Sequence, residues 1–453
     1  MKPPSYHNKI KSRRATQLRM EIHIKESTLI RPAQETPKHC LRTSDLDRSM
    51  PFIFNPGAYF YRRPEDALNF FEVGLMKEAL SKVLVPLYPY AGRLVKDENG
   101  EFEVNCNGEG VLFVEAETSC ELDDFTDFES TLKLLQLFPA IDHTKDTSFY
   151  PLFSAQVTHF KCGGVCVGAM SHHVLADGIA TAFGMNLWSE MARDVPLSIT
   201  PLFDRAVLET GIPVSPTFHH LEYDLPPSMI NSPTHDHQKQ ETISTATIKL
   251  SPDQMNTLKG KYSKKYSKFE ILAAHIWRCA CKARGLSADQ LSKLEIPTNG
   301  RFKLTPKVPL GYIGNVAFSA TPIAFSGEIQ SEPLEYTAEI IHNALKRMDD
   351  KYLKSALAYL KQQPDLTVIR REAHNNSCPN LLICNLANMP LYDANFGWGR
   401  PMFVRMVYPF LHDGVVFILP SPANDGSWLV VVDLETNHLQ LFKKLFYDIF
   451  LQN

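Results

Sequence analysis

The sequence predicts a two-domain α/β protein, and three observations carry that prediction. The chain has 453 residues, about three times the ~150 residues that serve as a length prior for one domain. Strand-like and helix-like patterns occur in both halves, without an internal repeat. Between the halves lies a stretch with Pro196, Pro201, Pro213, Pro216, Pro226, Pro227 and Pro233, followed by the polar run His235 to Glu241, which reads as a long crossover. The expected organisation is a basic, disordered extension over 1–19, an N-terminal domain over 20–200, a crossover loop over 201–245 and a C-terminal domain over 246–453.

Each element has its own signal. Patterned sequence begins at Met20-Glu21-Ile22-His23-Ile24. Val73, Met76, Leu80, Val83 and Leu84 recur at helical spacing until Pro86 interrupts them, which predicts an amphipathic helix. Phe153, Ala155 and Val157 alternate with polar residues, Gly163-Gly164 supplies a turn, and the apolar run Val165 to Met170 follows. This is a β-hairpin whose second strand ends at Ser171-His172-His173. Asp177-Gly178 then opens a helical pattern through Phe183, Leu187, Trp188 and Met191. In the second half, Phe269, Leu272, Ala273, Ile276, Trp277 and Ala280 form a buried helix stripe that ends at Gly285 as a C′ cap. His275 falls within that helix and is read as structural. Pro333 is expected at the first helical position of another helix, and Val415 to Leu419 and Trp428 to Val432 are strand-like runs flanking Asn424-Asp425-Gly426. Leu441, Leu445 and Ile449 mark a last helix.

Composition narrows the function classes. With 44% apolar and 21% charged residues the chain is globular. A formal charge of −3 provides no basic field for nucleic acid or an anionic membrane, which leaves small molecules as the expected partners. The nine cysteines are an odd number without a CxxC pair, so the expected setting is a reducing, cytoplasmic one, with no metal site and no cofactor. No apolar run reaches the ~20 residues that span a bilayer. Nothing demands assembly, and a monomer is expected.

Chemistry concentrates at one strand-to-helix connection. Sixteen histidines make about one His-x-x-x-Asp match expected by chance, and the chain holds two. His220 to Asp224 lies in the proline-rich crossover with no strand ahead of it, and is read as a decoy. His173-Val174-Leu175-Ala176-Asp177-Gly178 is different, because a strand delivers the imidazole and Asp177-Gly178 turns the chain into a helix. An imidazole with an ordinary pKa of ~6.5 can remove a proton near neutrality. The carboxylate four residues on could hold the ring or pin the loop through a salt bridge, and spacing does not choose between them. His172 is expected to point the other way.

His173-Val174-Leu175-Ala176-Asp177-Gly178, taken with Asn395-Phe396-Gly397-Trp398-Gly399, resembles the paired signature of the plant BAHD acyl-CoA-dependent acyltransferases. Tyr88-Pro89-Tyr90-Ala91-Gly92-Arg93-Leu94, Gly311-Tyr312-Ile313-Gly314-Asn315 and Ala320-Thr321-Pro322-Ile323 extend the resemblance toward the shikimate/quinate hydroxycinnamoyltransferases. The resemblance implies two chloramphenicol-acetyltransferase-like domains of mixed sheets and flanking helices with a solvent channel between them. It also implies an acyl-CoA donor as co-substrate and a small alcohol or amine as acceptor. His173 would be the general base, Asp177 a structural carboxylate paired with an arginine, and Asn395, Phe396, Gly397, Trp398 and Gly399 an architectural segment. Ser267 resembles a pantetheine-contacting serine, and reads equally well as the N-cap of the helix that follows it.

Departures from that family's pattern bear on the acceptor. The second motif usually opens with Asp paired to an arginine; here Asn395 and Asn299 are amides, so Arg301 is expected to lose a charged partner, with Asp393 as a substitute. Arg371 matches an arginine that grips an acceptor carboxylate. Cys384-Asn385-Leu386 stands where those enzymes resemble Thr-Ser-Trp, and Leu386 cannot donate to a thioester oxyanion. Phe54 takes the place of a polar acceptor contact, and Asn388 that of an arginine meeting CoA phosphate. Two readings follow: an acyltransferase moving a hydroxycinnamoyl or related aromatic acyl group from CoA to a less polar acceptor, or a non-catalytic relative that binds aromatic CoA esters or a protein partner.

Overall fold

The computed structural model describes residues 21–125, 134–141, 146–229, 243–261, 265–369, 377–407 and 412–451. Two large mixed sheets organise it. In the first the strand order is Ile22–Ile30, Val111–Thr118, Phe153–Phe160, Val165–His172, Phe54–Tyr61 and Phe403–Met406. Only the pair of Val111–Thr118 with Phe153–Phe160 is parallel. The second sheet runs Ala317–Ala320, Leu291–Asn299, Leu381–Asn385, Val415–Pro420, Trp428–Glu435 and Ile243–Leu250, with Ile323–Phe325 also paired to Leu291–Asn299. A third, three-stranded sheet is formed by Cys40–Arg42, Phe102–Asn105 and Arg93–Lys96.

Local chemistry places the elements where the pattern expects them. The helix Val73–Val83 buries Met76, Ala79, Leu80 and Val83. Its partner, the helix Gly178–Ala192, starts at Asp177, whose side chain accepts from the Ala180 amide, and Trp188 donates its indole N–H to the Met76 carbonyl at 3.2 Å. The helix Lys268–Ala283 is closed by Ser267 and Glu270 in a reciprocal capping box. At its other end Gly285, with φ +61°, takes the left-handed conformation that a side chain resists. Pro333 is the N-cap of Leu334–Arg347 and not its first helical residue, because its ψ of 149° is extended. No helix among the described residues is long and apolar enough to cross a membrane.

The halves are less separate than the chain order suggests. Phe403–Met406, from the second half, pairs antiparallel with Phe54–Tyr61 and completes the first sheet. Phe396 buries its ring against Trp188, Phe71 and Tyr61 at centroid distances of 5.1, 5.5 and 6.0 Å. The division at residue 246 therefore does not follow the strand pairing, since a second-half strand satisfies the backbone of the first sheet's edge.

The proline-rich crossover is pinned at two places between residues 201 and 229. Arg205 is buried and its Nε donates to Asp47 Oδ2 at 2.9 Å, while its other nitrogens reach the carbonyls of Phe203, Ile313 and Leu175. Further along, His220 meets Glu222 at 3.0 Å through Nδ1 and Ser355 Oγ at 2.9 Å through Nε2. Ser355 accepts from the amides of Thr217 and Phe218, and Tyr352 donates to the free oxygen of Glu222 at 2.6 Å. The order serine, histidine, carboxylate imitates a hydrolytic triad. Ser355 and His220 are 0 and 1% exposed, and no substrate reaches them. Their role is to staple the crossover to the helix Asp350–Lys361. Replacing Ser355 by Ala leaves two amides and an imidazole unsatisfied, so Ser355→Ala should cost about 1–3 kcal/mol in urea unfolding. Turnover below the unfolding transition should be unchanged.

Candidate active site

The strand Val165–His172 ends one residue before His173, whose backbone N–H donates to the Ile53 carbonyl at 2.8 Å. His172 turns into the protein, edge-on to Phe52 and Phe54 at 4.5 and 5.1 Å. Successive side chains on a strand end point to opposite sides, and this sends His173 into a cavity of about 240 Å³ between the sheets.

The cavity is lined by both halves. Met50, Ile53, Asn55, Pro56, His173 and Ile179 come from the first, and Glu295, Pro297, Cys384, Leu386 and Phe417 are among those from the second. Most of the wall is apolar, and the titratable groups facing it are few.

Asp177 does not hold the His173 ring. Its Oδ2 accepts from Arg301 Nη1 at 2.7 Å and from the Val316 amide at 2.9 Å; its Oδ1 accepts from Arg301 Nη2 at 3.1 Å and from the Ala180 amide at 3.0 Å. Burial pushes this carboxyl up, but the Arg301 charge and the four donors outweigh it and hold Asp177 below the usual carboxylate range. The expectation that Arg301 loses its charged partner is corrected. Arg301, 1% exposed, has Asp177. Asn395 spends its oxygen on the amides of Gly397 and Gly399 at 2.9 and 3.0 Å. Those glycines have φ of +110° and +100°, a turn in which an amide oxygen serves as a carboxylate would. Asp393 pairs with Arg400.

The imidazole is held by a residue for which the sequence suggested no role. Asn315 Oδ1 lies 3.1 Å from His173 Nδ1. Its amide Nδ2 donates to Asp47 Oδ1 at 2.8 Å and to the His173 carbonyl at 2.8 Å. Asp47 also accepts from the Asn315 backbone N–H. A carboxylate can only accept, so Asp47 decides which end of the Asn315 amide is nitrogen. The oxygen is thereby left for His173, whose Nδ1 must donate. The neutral ring consequently carries its lone pair on Nε2. The motif Gly311 to Asn315 was visible in the sequence; its contact with His173, 142 residues away, was not.

The remaining expected site residues divide three ways. Cys384 and Leu386 line the cavity. Burial, with the Glu295 charge adding to it, pushes the Cys384 thiol up to about 12, which keeps it protonated and a poor nucleophile. Phe54 does not line the cavity and the expectation of an acceptor contact there is corrected: its ring is buried with Phe60, Met170 and Val407, and Ile53, Asn55 and Pro56 take the cavity positions. Ser267 is the N-cap, its hydroxyl accepting from the Glu270 amide at 3.2 Å. Arg371 lies outside the described residues. His275 is structural in its contacts, tied to the Phe446 carbonyl at 2.9 Å, with burial lowering its pKa to about 4.

Two sheet-rich halves meet over an oriented imidazole with a protonated thiol beside it, an arrangement suited to acyl transfer by direct attack. Comparison with known proteins agrees. The model of the Transferase family matches residues 20–449, and the chain belongs to that family, the BAHD acyl-CoA-dependent acyltransferases; it is an enzyme of that class. It is 48% identical over 436 residues to a shikimate O-hydroxycinnamoyltransferase of Nicotiana tabacum, which covers 95% of this chain and 100% of the relative. It is 40% identical over 447 residues to a hydroxycinnamoyl-CoA:5-hydroxyanthranilate N-hydroxycinnamoyltransferase of Avena sativa, with the same coverage. Among solved structures, vinorine synthase superposes with a TM-score of 0.73 at 20% identity, covering 93% of this chain and 96% of that one.

The site yields two tests. Asp177→Asn leaves the buried Arg301 charge uncompensated and should cost about 3–5 kcal/mol of stability. For the unmodified chain, a depressed carboxyl pKa stabilises the fold above the ordinary Asp value of about 3.9, and that stabilisation disappears as pH falls through the folded value. Urea midpoints taken from pH 7 down to pH 3 should fall steeply in the native chain and less in Asp177→Asn. Asn315→Ala frees the ring to change tautomer and should lower kcat about 10²-fold with the KM for acyl-CoA little changed, measured by thiol release.

Proposed function

We propose that this enzyme transfers a hydroxycinnamoyl or related aromatic acyl group from CoA to the hydroxyl or amine of a small acceptor, with His173 as general base. The observation that carries the reading is the fixed tautomer of His173 in an apolar cavity between the sheets. Nε2 takes the proton of the acceptor's nucleophilic atom as that atom attacks the thioester carbonyl. A new C–O or C–N bond forms, the carbonyl oxygen gains the negative charge, and collapse breaks the C–S bond. The departing CoA thiolate recovers the proton from the imidazolium, so the enzyme ends as it began. Asn315 Oδ1 accepts from Nδ1 in both protonation states and favours the charged one.

The names of the relatives support the donor class, since both carry hydroxycinnamoyl groups. Their acceptors differ, one an alcohol and one an amine, and both outcomes stay within the mechanism. Leu386 offers no donor to the oxyanion, but the side-chain amides of Asn55 and Asn385, which line the same cavity, have N–H groups taken up by no described residue. Such donors contribute when they are held at the place where charge develops. The non-catalytic reading drew on Asn395 and Leu386, and the contacts of Asn395 remove the first of these supports. The absence of disulfides among the described residues supports a reducing, cytoplasmic setting, and we take the chain to work as a monomer.

Thiol release from p-coumaroyl-CoA, caffeoyl-CoA and benzoyl-CoA, with an acceptor panel of shikimate, quinate, aliphatic alcohols and amines, tests the proposal. Turnover should require an acceptor and should fall at least about 10²-fold in His173→Ala while the acyl-CoA still binds. A rate unchanged in that variant would exclude His173 as the base.

A further inference from the structure

The strand Leu291–Asn299 carries a carboxylate that the mechanism above does not use. Leu294 and Ile296, 0 and 2% exposed, point into the C-terminal core. Glu295, Pro297 and Asn299, the alternate positions, line the cavity that holds His173. Glu295 is 8% exposed. Its Oε1 accepts from the Ser319 hydroxyl at 2.7 Å, and its Oε2 accepts from none of the described residues. Cys384 lies close enough that the Glu295 charge raises its thiol pKa.

The charge balance of the lining is uneven. Among the described residues that form the wall, the acidic and basic side chains besides the His173 imidazole are Asp177, Arg301 and Glu295. Arg301 and Asp177 neutralise each other. Among the described residues Glu295 has one hydroxyl, that of Ser319, as its partner, in a wall whose apolar side chains include Met50, Ile53, Pro297, Leu386 and Phe417 and whose uncharged polar ones include Asn55, Thr298 and Asn385. A carboxylate oxygen in such surroundings is costly unless something donates to it. A ligand that brings an N–H or O–H donor removes that cost, and one that brings a second carboxylate increases it.

We propose that Glu295 determines acceptor specificity, its Oε2 receiving an ammonium or hydroxyl group of the acceptor other than the one that attacks the thioester. The cavity then selects cationic or neutral, donor-bearing acceptors and discriminates against carboxylated ones of the same size. This rests on the acyl-transfer reading above and deepens it, naming the acceptor class. It replaces the expectation of a less polar acceptor, because an apolar molecule would leave Oε2 unsatisfied.

The test compares tyramine, methyl shikimate and shikimate as acceptors for p-coumaroyl-CoA, with the native chain, Glu295→Gln and Glu295→Asp. Glutamine keeps the shape and an oxygen for Ser319 but removes the charge; aspartate keeps the charge. The expected order of kcat/KM in the native chain is tyramine, then methyl shikimate, then shikimate. In Glu295→Gln the ratio of tyramine to shikimate should fall at least about tenfold, while the KM for p-coumaroyl-CoA and the melting temperature stay unchanged. Glu295→Asp should retain most of the ratio, which a purely structural residue would not require. Native preference for shikimate, or an unchanged ratio in a folded Glu295→Gln, would overturn the inference and leave the acyl-transfer reading standing. Repeating the series with cinnamoyl-CoA, which lacks the phenolic hydroxyl, separates the remaining source of a donor. If the effect of Glu295→Gln disappears with that hydroxyl whatever the acceptor, Glu295 reads the acyl group and the acceptor role is wrong. If the native chain turns over with no acceptor at all, the acyl-transfer reading itself fails.

Discussion

The buried ion pair of Asp177 with Arg301 is the constraint from which the site follows. A guanidinium and a carboxylate taken out of water are tolerated only with close geometry and with their other bonding positions filled. The geometry is close and most positions are filled: two bonds join the pair, the Val316 and Ala180 amides complete the carboxylate, and the Gly314 carbonyl accepts from Arg301 Nη2, while Arg301 Nε has no partner among the described residues. The pair joins residues 124 positions apart. It fixes the start of the helix Gly178–Ala192 against the loop that carries Gly314 and Asn315, and so fixes where Asn315 meets His173. A carboxylate this occupied cannot also steer an imidazole, and the steering passes to an amide.

A second buried pair, Arg205 with Asp47, sets the chemistry of that amide. Asp47 is 0% exposed and divides its oxygens, one toward Arg205 and one toward Asn315. The crossover therefore reaches His173 at one remove. Its arginine holds the carboxylate, the carboxylate orients the amide, and the amide selects the ring nitrogen that carries the proton. Each link is a hydrogen bond between groups with a fixed donor or acceptor identity. The arrangement thus has one consistent assignment of protons, whereas a direct contact of carboxylate with imidazole would have bound the ring more tightly and raised its basicity. Meanwhile the second-half strand Phe403–Met406 and the ring of Phe396 lock into the first half, so the two walls of the cavity are joined by sheet and core as well as by charge.

Much of this was legible from local pattern. The hairpin, the helix from Val73, the helix opened by Asp177 and the capped helix after Ser267 all follow from period, turn residues and capping chemistry, which act over a few residues. The context of His173, a strand end before a helix start, separated it from His220 for the same reason. Legibility failed where a side chain's partner comes from a distant part of the chain. Arg301 was expected to lack a charged partner because Asn395 and Asn299 are amides, yet its partner is the motif carboxylate itself. Phe54 was read by position in a motif, and a strand's alternation sends its ring away from the cavity. Glu295 was passed over, although a carboxylate between Leu294 and Ile296 in a strand-like run was the signal available.

The sequence alone determined the class of this protein and its candidate base: a strand-delivered histidine before Asp-Gly, with the Phe-Gly-Trp-Gly segment at the right distance, marks both the family and the residue to test. Tertiary structure decided everything that depends on who meets whom across the two halves. Which nitrogen of His173 meets Asn315 and which charges cancel are set by contacts between residues more than a hundred positions apart. Pattern reports the face a residue presents; only the folded chain reports what stands opposite it.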